Sequence, residues 1–191
     1  MALILRGWCL AALARADEGI PLLTAGLAGW HELGFVILRP WVLTLLGDAC
    51  RMAGQWQAAL GHLAAARRLA KETQDRWCQA ETVRLNGDVL AAMGDRAGAG
   101  ASFHEAIAIA RQQSAKLWEL RAATSLARAL RDQGKRGEAR DLLAPVYGWF
   151  TEGFGTPVLQ EAKDLLEELS DEQALPGRGG LAFSGSGTAA R

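Results

Sequence analysis

The sequence predicts an all-α protein, a solenoid of about four 40-residue helix-turn-helix repeats followed by a C-terminal capping helix. Two observations carry this prediction. The chain repeats itself with a period of 40 residues, through four copies and without an insertion. Alanine and leucine dominate its composition and β-branched residues are few, which favours helix over strand. Because one helix pair cannot bury its apolar face alone, such pairs stack into an array.

The repeat is defined by columns of residues of similar size. Three small columns are Gly7, Gly47, Gly87 and Ala127, then Ala14, Gly54, Gly94 and Gly134, then Gly19, Ala59, Ala99 and Ala139. A large apolar column follows at Leu23, Leu63, Phe103 and Leu143, and after it come Gly26, Ala66, Ala106 and Val146. Small residues in both helices of a pair let them approach closely, and the large residue fills the space between them. Glycine in the second column permits the turn between the two helices.

This order and spacing resembles the tetratricopeptide consensus, most clearly in LLGDACRMAGQWQAALGHLAAA and LNGDVLAAMGDRAGAGASFHEAIAIA. The predicted fold is therefore a tetratricopeptide-like α-solenoid. The usual period is roughly 34 residues, so the longer period found here predicts longer helices. The repeats are placed at about residues 1–36, 37–76, 77–116 and 117–156.

The last part of the chain differs from the repeats. Apolar residues at helical spacing predict an amphipathic capping helix over residues 157–169, which would close the open end of the solenoid. Residues 170–191 are rich in glycine, serine and small residues and are predicted to form a disordered tail.

Sequence motifs for catalysis and for cofactor binding are absent. The chain has no phosphate-binding loop, no dinucleotide fingerprint, no HExxH and no GxSxG. His31, His62 and His104 are isolated, and the paired acids Glu167 and Glu168 are expected on a solvent face. We therefore expect no enzyme activity, no catalytic residue, no metal and no cofactor.

Charge and hydropathy limit the partners and the location. With 21 basic and 21 acidic residues, the chain has no overall electrostatic preference for nucleic acid or for a membrane surface. The apolar N-terminus could be mistaken for a secretory signal, but Arg6 falls inside the apolar stretch and the segment keeps the repeat register. We expect a cytoplasmic protein whose partner is a protein or peptide.

The resemblance to tetratricopeptide arrays implies that the first helix of each pair lines a concave groove. In the 40-residue register the groove residues are Trp41, Thr44, Asp48 and Arg51, then Glu81, Arg84 and Asp88, then Arg121, Thr124, Arg128 and Arg131. The fourth repeat is the most basic, and its arginines could pair with carboxylates of an extended peptide. The alternative is a solvated charged face without a specific ligand.

The chain contains seven tryptophans. Trp77 and Trp118 stand near the start of successive first helices. Aromatic packing between neighbouring repeats is the simpler interpretation, and an aromatic cage for a ligand is the alternative.

A more specific resemblance covers about residues 6–169. The stretch AIAIARQQSAKLWELRAATSLARALRDQGKRGEARDLLAPVYGWFTEGFGTPVLQEAKDLLEEL closely resembles the C-terminal tetratricopeptide region of bacterial class III adenylate/guanylate cyclase-like proteins, which also carry an AAA/STAND-type ATPase domain. The resemblance implies a sensor or scaffold arm that binds protein, with an adjacent ATPase or cyclase domain as one possible partner. Because Met1 falls inside the first predicted helix, the chain is expected to be a piece or a remnant of such a protein. A free-standing cytoplasmic adaptor for a peptide is the alternative.

Overall fold

Helices form the regular structure of the chain. The computed structural model describes residues 1–171, and within them it contains nine α-helices and no strand. The helices are α1 (Ala2–Ala12), α2 (Ala16–Glu32), α3 (Arg39–Met52), α4 (Trp56–Thr73), α5 (Gln79–Ala92), α6 (Arg96–Gln112), α7 (Lys116–Asp132), α8 (Arg136–Tyr147) and α9 (Pro157–Asp171). The prediction of an all-α protein is confirmed.

The helices form an inner and an outer row. Each odd-numbered helix contacts the next odd-numbered helix, from α1 to α9. Among the described residues no even-numbered helix contacts another, and each packs between two odd-numbered ones. An array whose inner helices touch while its outer helices stand apart curves toward the inner row. The odd-numbered helices therefore line the concave face.

The repeat columns meet where the two helices of a pair cross. A Cβ atom on Gly19 would lie 2.3 Å from the carbonyl oxygen of Gly7, so α1 and α2 touch through their backbones. A Cβ atom on Gly87 would lie 2.5 Å from Cε1 of Phe103, which fills the same space between α5 and α6. The large column is buried in every repeat, at Leu23, Leu63, Phe103 and Leu143. The columns therefore have the packing role that the sequence predicts.

The turn between the two helices of each pair requires a left-handed residue. In the column Ala14, Gly54, Gly94 and Gly134, φ is 61°, 71°, 86° and 78°. Three copies supply glycine, which adopts this conformation without a steric penalty. Ala14 adopts it with a Cβ atom, so the first repeat has the same turn at a higher conformational cost.

A second left-handed column joins one repeat to the next. Gly34, Gln74 and Ser114 are 40 residues apart and have φ of 71°, 59° and 54°. Only the first of these is glycine, so composition alone gives no sign of this turn. The period of 40 residues thus fixes both turns of the repeat unit.

Helix α9 occupies the place of another inner helix. It begins about one period after α7 and packs against both α7 and α8. Its apolar face is buried at Leu159, Ala162, Leu165 and Leu169. The helix continues to Asp171, and the rest of the predicted disordered tail, residues 172–191, lies outside the described residues.

No helix within residues 1–171 combines the length and the apolarity needed to cross a bilayer. The thiols of Cys50 and Cys78 are buried and that of Cys9 is exposed. Burial raises the pKa of the Cys78 thiol to about 11, although hydrogen bonds with neighbouring threonines act in the opposite direction. The two buried cysteines are therefore packing residues of α3 and of the segment before α5.

The close helix contact gives a testable prediction. Gly19→Ala places a methyl group against the backbone of Gly7, which cannot move aside, so we expect a loss of roughly 1–3 kcal/mol in the free energy of unfolding. Gly100→Ala is the matched control, because a Cβ atom there meets nothing within 4 Å. The control should stabilise the protein by roughly 0.5–1 kcal/mol, as alanine for glycine does inside a helix. Urea unfolding followed by circular dichroism measures both, and equal stability of the two variants would contradict the packing.

Candidate functional site on the concave face

The groove residues predicted from the sequence all lie on α3, α5 and α7 of the inner row. Those that are partly exposed are Trp41, Arg51, Asp88, Arg121, Arg128 and Arg131. Those that are buried are Thr44, Asp48, Glu81, Arg84 and Thr124. The concave face is thus not a uniformly solvated surface, because it has a buried polar layer beneath an accessible one.

Glu81 is the centre of the buried layer. Its carboxylate accepts hydrogen bonds from Nε and Nη2 of Arg84 at 2.8 and 2.7 Å, and from Nε and Nη2 of Arg121 at 3.2 and 2.8 Å. Burial opposes ionisation of this carboxyl group, but the two guanidinium groups outweigh it and lower the pKa of Glu81. Arg84 also donates to Asp88 at 2.6 Å and to Ser125 at 3.2 Å. These bonds connect α5 to α7 across the repeat junction.

Polar bonds also connect the earlier inner helices. The indole nitrogen of Trp8 donates to Asp48 at 3.2 Å and connects α1 to α3. The hydroxyl groups of Thr44 and Thr82 lie 2.7 Å apart and connect α3 to α5. Because buried polar groups need such partners, these contacts hold neighbouring inner helices in one register.

Helix α9 supplies carboxylates to two of the predicted groove arginines. Arg128 pairs with Glu161, and Nη1 of Arg131 lies 2.9 Å from Glu168. The side chains of both pairs are between 28% and 49% exposed. Ion pairs this exposed are worth only about 0–1 kcal/mol. The fold thus binds these arginines in the way predicted for a partner, but weakly enough for a partner's carboxylate to compete.

An arginine cavity lies along the C-terminal half of the concave face. It encloses about 230 Å³ between α3, α5, α7 and α9. Its lining residues are Arg51, Arg84, Asp88, Arg121, Thr124, Ser125, Arg128, Val158 and Glu161. Four of them are arginines and two are acids, so the lining carries excess positive charge.

An aromatic cavity of about 230 Å³ lies next to it, between α1, α3, α5 and α7. Its apolar walls are Leu5, Trp8, Trp41, Leu45, Leu85 and Trp118. Thr44, Asp48, Glu81 and Arg121 supply its polar atoms. Arg121 therefore lines both cavities and marks the boundary between them.

Three tryptophans cluster at one end of the aromatic cavity. The ring of Trp41 lies 5.1 Å from that of Trp77 and 6.3 Å from that of Trp118. The guanidinium carbon of Arg121 lies 5.7 Å from the Trp118 ring centre, within cation–π range. The rings pack between repeats, and Trp41 and Trp118 also line the cavity. The two interpretations of the tryptophans therefore describe two faces of one cluster.

Three cavity residues are missing from the groove predicted by the sequence. Leu5 and Trp8 stand one period before Leu45 and Asp48, so the register itself could have found them. The chain starts inside the first predicted helix, which is why the first repeat contributes no predicted groove residue. Glu161 has no such signal, because a capping helix is not expected to contribute to the groove.

The histidines remain apart from this face. His31 and His104 are exposed, and His62 is half-buried on α4 of the outer row. No group of three or more His, Cys, Asp or Glu side chains within residues 1–171 is arranged to hold a metal ion.

Comparison with known proteins identifies the fold. No protein-family model matches the chain, and no curated protein matches it. A crystal structure from Podosopora anserina of kinesin light chain-like, nearly identical TPR-like repeats is similar, with 20% identity, a TM-score of 0.62, and coverage of 93% of this chain and 96% of that one. A point variant of the same Podosopora anserina protein gives 21% identity, a TM-score of 0.63, and coverage of 91% and 93%.

A Rap protein in complex with Competence and Sporulation Factor is also similar. It has 19% identity and a TM-score of 0.71, and the match covers 87% of this chain and 52% of the Rap chain. At such identities the likeness concerns the fold alone. The chain has the fold of a TPR-like repeat solenoid, as the sequence predicts.

The buried carboxylate gives a second prediction. Glu81→Gln removes the charge shared by two guanidinium groups, so we expect a loss of roughly 3 kcal/mol in unfolding free energy at pH 7. Because the pKa of Glu81 is lowered by folding, its contribution is complete above the ordinary value of 4.5 and is lost as the pH falls toward the lowered value. Denaturant titrations at pH 7 and pH 3.5 should show the gap between wild type and variant shrinking.

Glu105→Gln is the matched control for this substitution. Glu105 pairs with Arg67 on the outer row, where the two side chains are 43% and 38% exposed. The loss there should stay below about 1 kcal/mol. A loss at Glu81 no larger than at Glu105 would show that the buried network does not stabilise the inner row.

Proposed function

We propose that the chain is a protein–protein interaction module that binds an extended peptide segment of its partner along the concave face. The observation that carries the proposal is the pair of adjoining cavities on the inner row, one aromatic and one rich in arginine. Half-exposed aromatic and arginine side chains are the residues that contribute most at protein interfaces. The eleven groove residues predicted from the sequence are assigned to this surface.

The fold comparison is compatible with this role. The similar Rap structure was solved in complex with Competence and Sporulation Factor, so a solenoid of this fold can hold a bound partner. A concave surface built from repeated inner helices suits an extended ligand, because each repeat adds contacts along its length.

The sequence resemblance supports a more specific role in bacterial signal transduction. We propose that the module is the C-terminal sensor or scaffold arm of a cyclase/ATPase-type signalling protein, or a remnant of one, acting in the cytoplasm. The resemblance over about residues 6–169 supports this proposal. The alternative is a free-standing cytoplasmic TPR adaptor with its own peptide partner.

The groove assignment is tested with short random peptides displayed on phage and selected on the purified chain. Arg128→Gln combined with Arg131→Gln should weaken the selected peptides about tenfold, since a charge-assisted hydrogen bond is worth roughly 1.5–3 kcal/mol. Arg67→Gln combined with Arg68→Gln, on α4 of the outer row, is the control and should leave the affinity unchanged. Fluorescence anisotropy gives the dissociation constants. Equal binding by both double variants would show that the peptides do not use this groove.

The regulatory role is tested by the gene and by activity assays. Coding sequence for an ATPase or cyclase, in frame with or adjacent to the segment before Met1, is expected for a signalling arm. Its absence would leave the adaptor. In either case the purified chain should show no cyclase activity and no ATP hydrolysis, and turnover above background would overturn the proposal of a non-enzymatic module.

A further inference from the structure

The two cavities of the concave face have complementary chemistry and a shared wall. Three tryptophans and three leucines line the aromatic cavity, whereas four arginines line the other. Each encloses about 230 Å³. This is below the roughly 300–1,000 Å³ of a typical small-molecule site, so each cavity suits a single side chain rather than a whole ligand.

We infer that the groove recognises a segment in which a bulky apolar side chain stands two residues from a carboxylate. The inference rests on the proposed function and names the chemistry of its ligand. The apolar side chain enters the aromatic cavity, and the carboxylate binds in the arginine cavity. Recognition by one cavity alone would leave the other filled with water, so both groups are needed for full affinity.

The aromatic cavity is built for an apolar side chain. Leu5 and Trp8 on α1 and Trp41 on α3 line it, and all three are at least partly exposed. The polar groups in its lining already have partners, since Asp48 accepts from Trp8 and from an arginine, and Glu81 accepts from two arginines. An entering side chain therefore meets apolar walls and no unpaired charge.

The arginine cavity keeps donors available for an anion. Arg51, Arg121 and Arg128 each bind an acidic side chain through Nε or Nη2. Among the described residues, none of the three Nη1 groups makes a hydrogen bond. Guanidinium donors gathered around one cavity match the two oxygens of a carboxylate, and charge-assisted bonds of this kind are the strong ones. The acidic character of the ligand follows from this excess of unused donors.

The spacing of the two groups follows from Arg121. Its guanidinium group lies 5.7 Å from the Trp118 ring, and the residue lines both cavities. The two ligand groups therefore lie on either side of one side chain. An extended chain advances about 3.3 Å per residue and alternates its side chains, so groups on the same face are about 6.6 Å and two residues apart.

Substitution of Leu5 tests the aromatic cavity. Leu5 is 51% exposed, so Leu5→Glu puts a carboxylate into the cavity without disturbing the core. The matched control is Leu3→Glu, on the same helix, 46% exposed and outside the cavity. Peptides selected from the random displayed library on the full chain should lose about tenfold or more in affinity with Leu5→Glu and nothing with Leu3→Glu. Circular dichroism establishes that both variants are folded.

The arginine cavity and the spacing are tested with the same peptides. Selected sequences should be enriched in a bulky apolar residue with Asp or Glu two positions away. Changing that acid to its amide should weaken binding to wild type about tenfold but have little effect on binding to Arg128→Gln. Arg67→Gln, which breaks a similarly exposed pair on the outer row, should behave as wild type.

The outcomes separate this inference from the proposed function. If selected peptides require Arg128 and Arg131 but lack the spaced pair, or tolerate Leu5→Glu, the inference is overturned and groove binding stands. If no groove variant affects any selected peptide, or if no peptide is selected at all, the proposed function itself fails.

Discussion

The contact between the two helices of each pair is the constraint on which the rest of the structure depends. In the first repeat the backbones of Gly7 and Gly19 touch, and in the third the ring of Phe103 lies where a side chain on Gly87 would be. This closeness leaves little freedom in the crossing of the two helices. Because all the repeats share the contact and the left-handed turns beside it, they stack with one geometry, and the first helices fall into a single inner row.

The chemistry of the concave face follows from that row. Inner helices that touch bring side chains one period apart into contact, as with Trp8 and Asp48 or Glu81 and Arg121. Polar pairs then connect each helix to the next and leave some donors unused at the surface, where Arg121 lines both cavities beside Trp118. The same residues that join the repeats thus form the two cavities. Stability of the inner row and ligand binding are expected to respond together to changes in these residues.

The sequence is sufficient for the fold and for part of the site. Residue size at a fixed period identifies the packing columns, because steric limits at a close helix crossing leave a direct trace in composition. The turn at Gln74 and Ser114 leaves no such trace, since neither residue type signals a left-handed backbone. The pairing of Arg128 with Glu161 is also beyond the sequence, because it depends on α9 taking the place of an inner helix. The aromatic cavity needs side chains from four helices, which only the tertiary structure brings together.

Hydroxyl-radical footprinting of the chain with and without a selected peptide tests the central claim most directly, namely that the ligand lies on the inner row. Oxidation of each tryptophan can be followed separately by mass spectrometry. The account predicts that bound peptide protects Trp41 and Trp118, which line the aromatic cavity, and leaves Trp149 unchanged, since it is 58% exposed and lies outside both cavities. Unchanged oxidation of Trp41 and Trp118, with protection confined to residues of the outer helices, would contradict it.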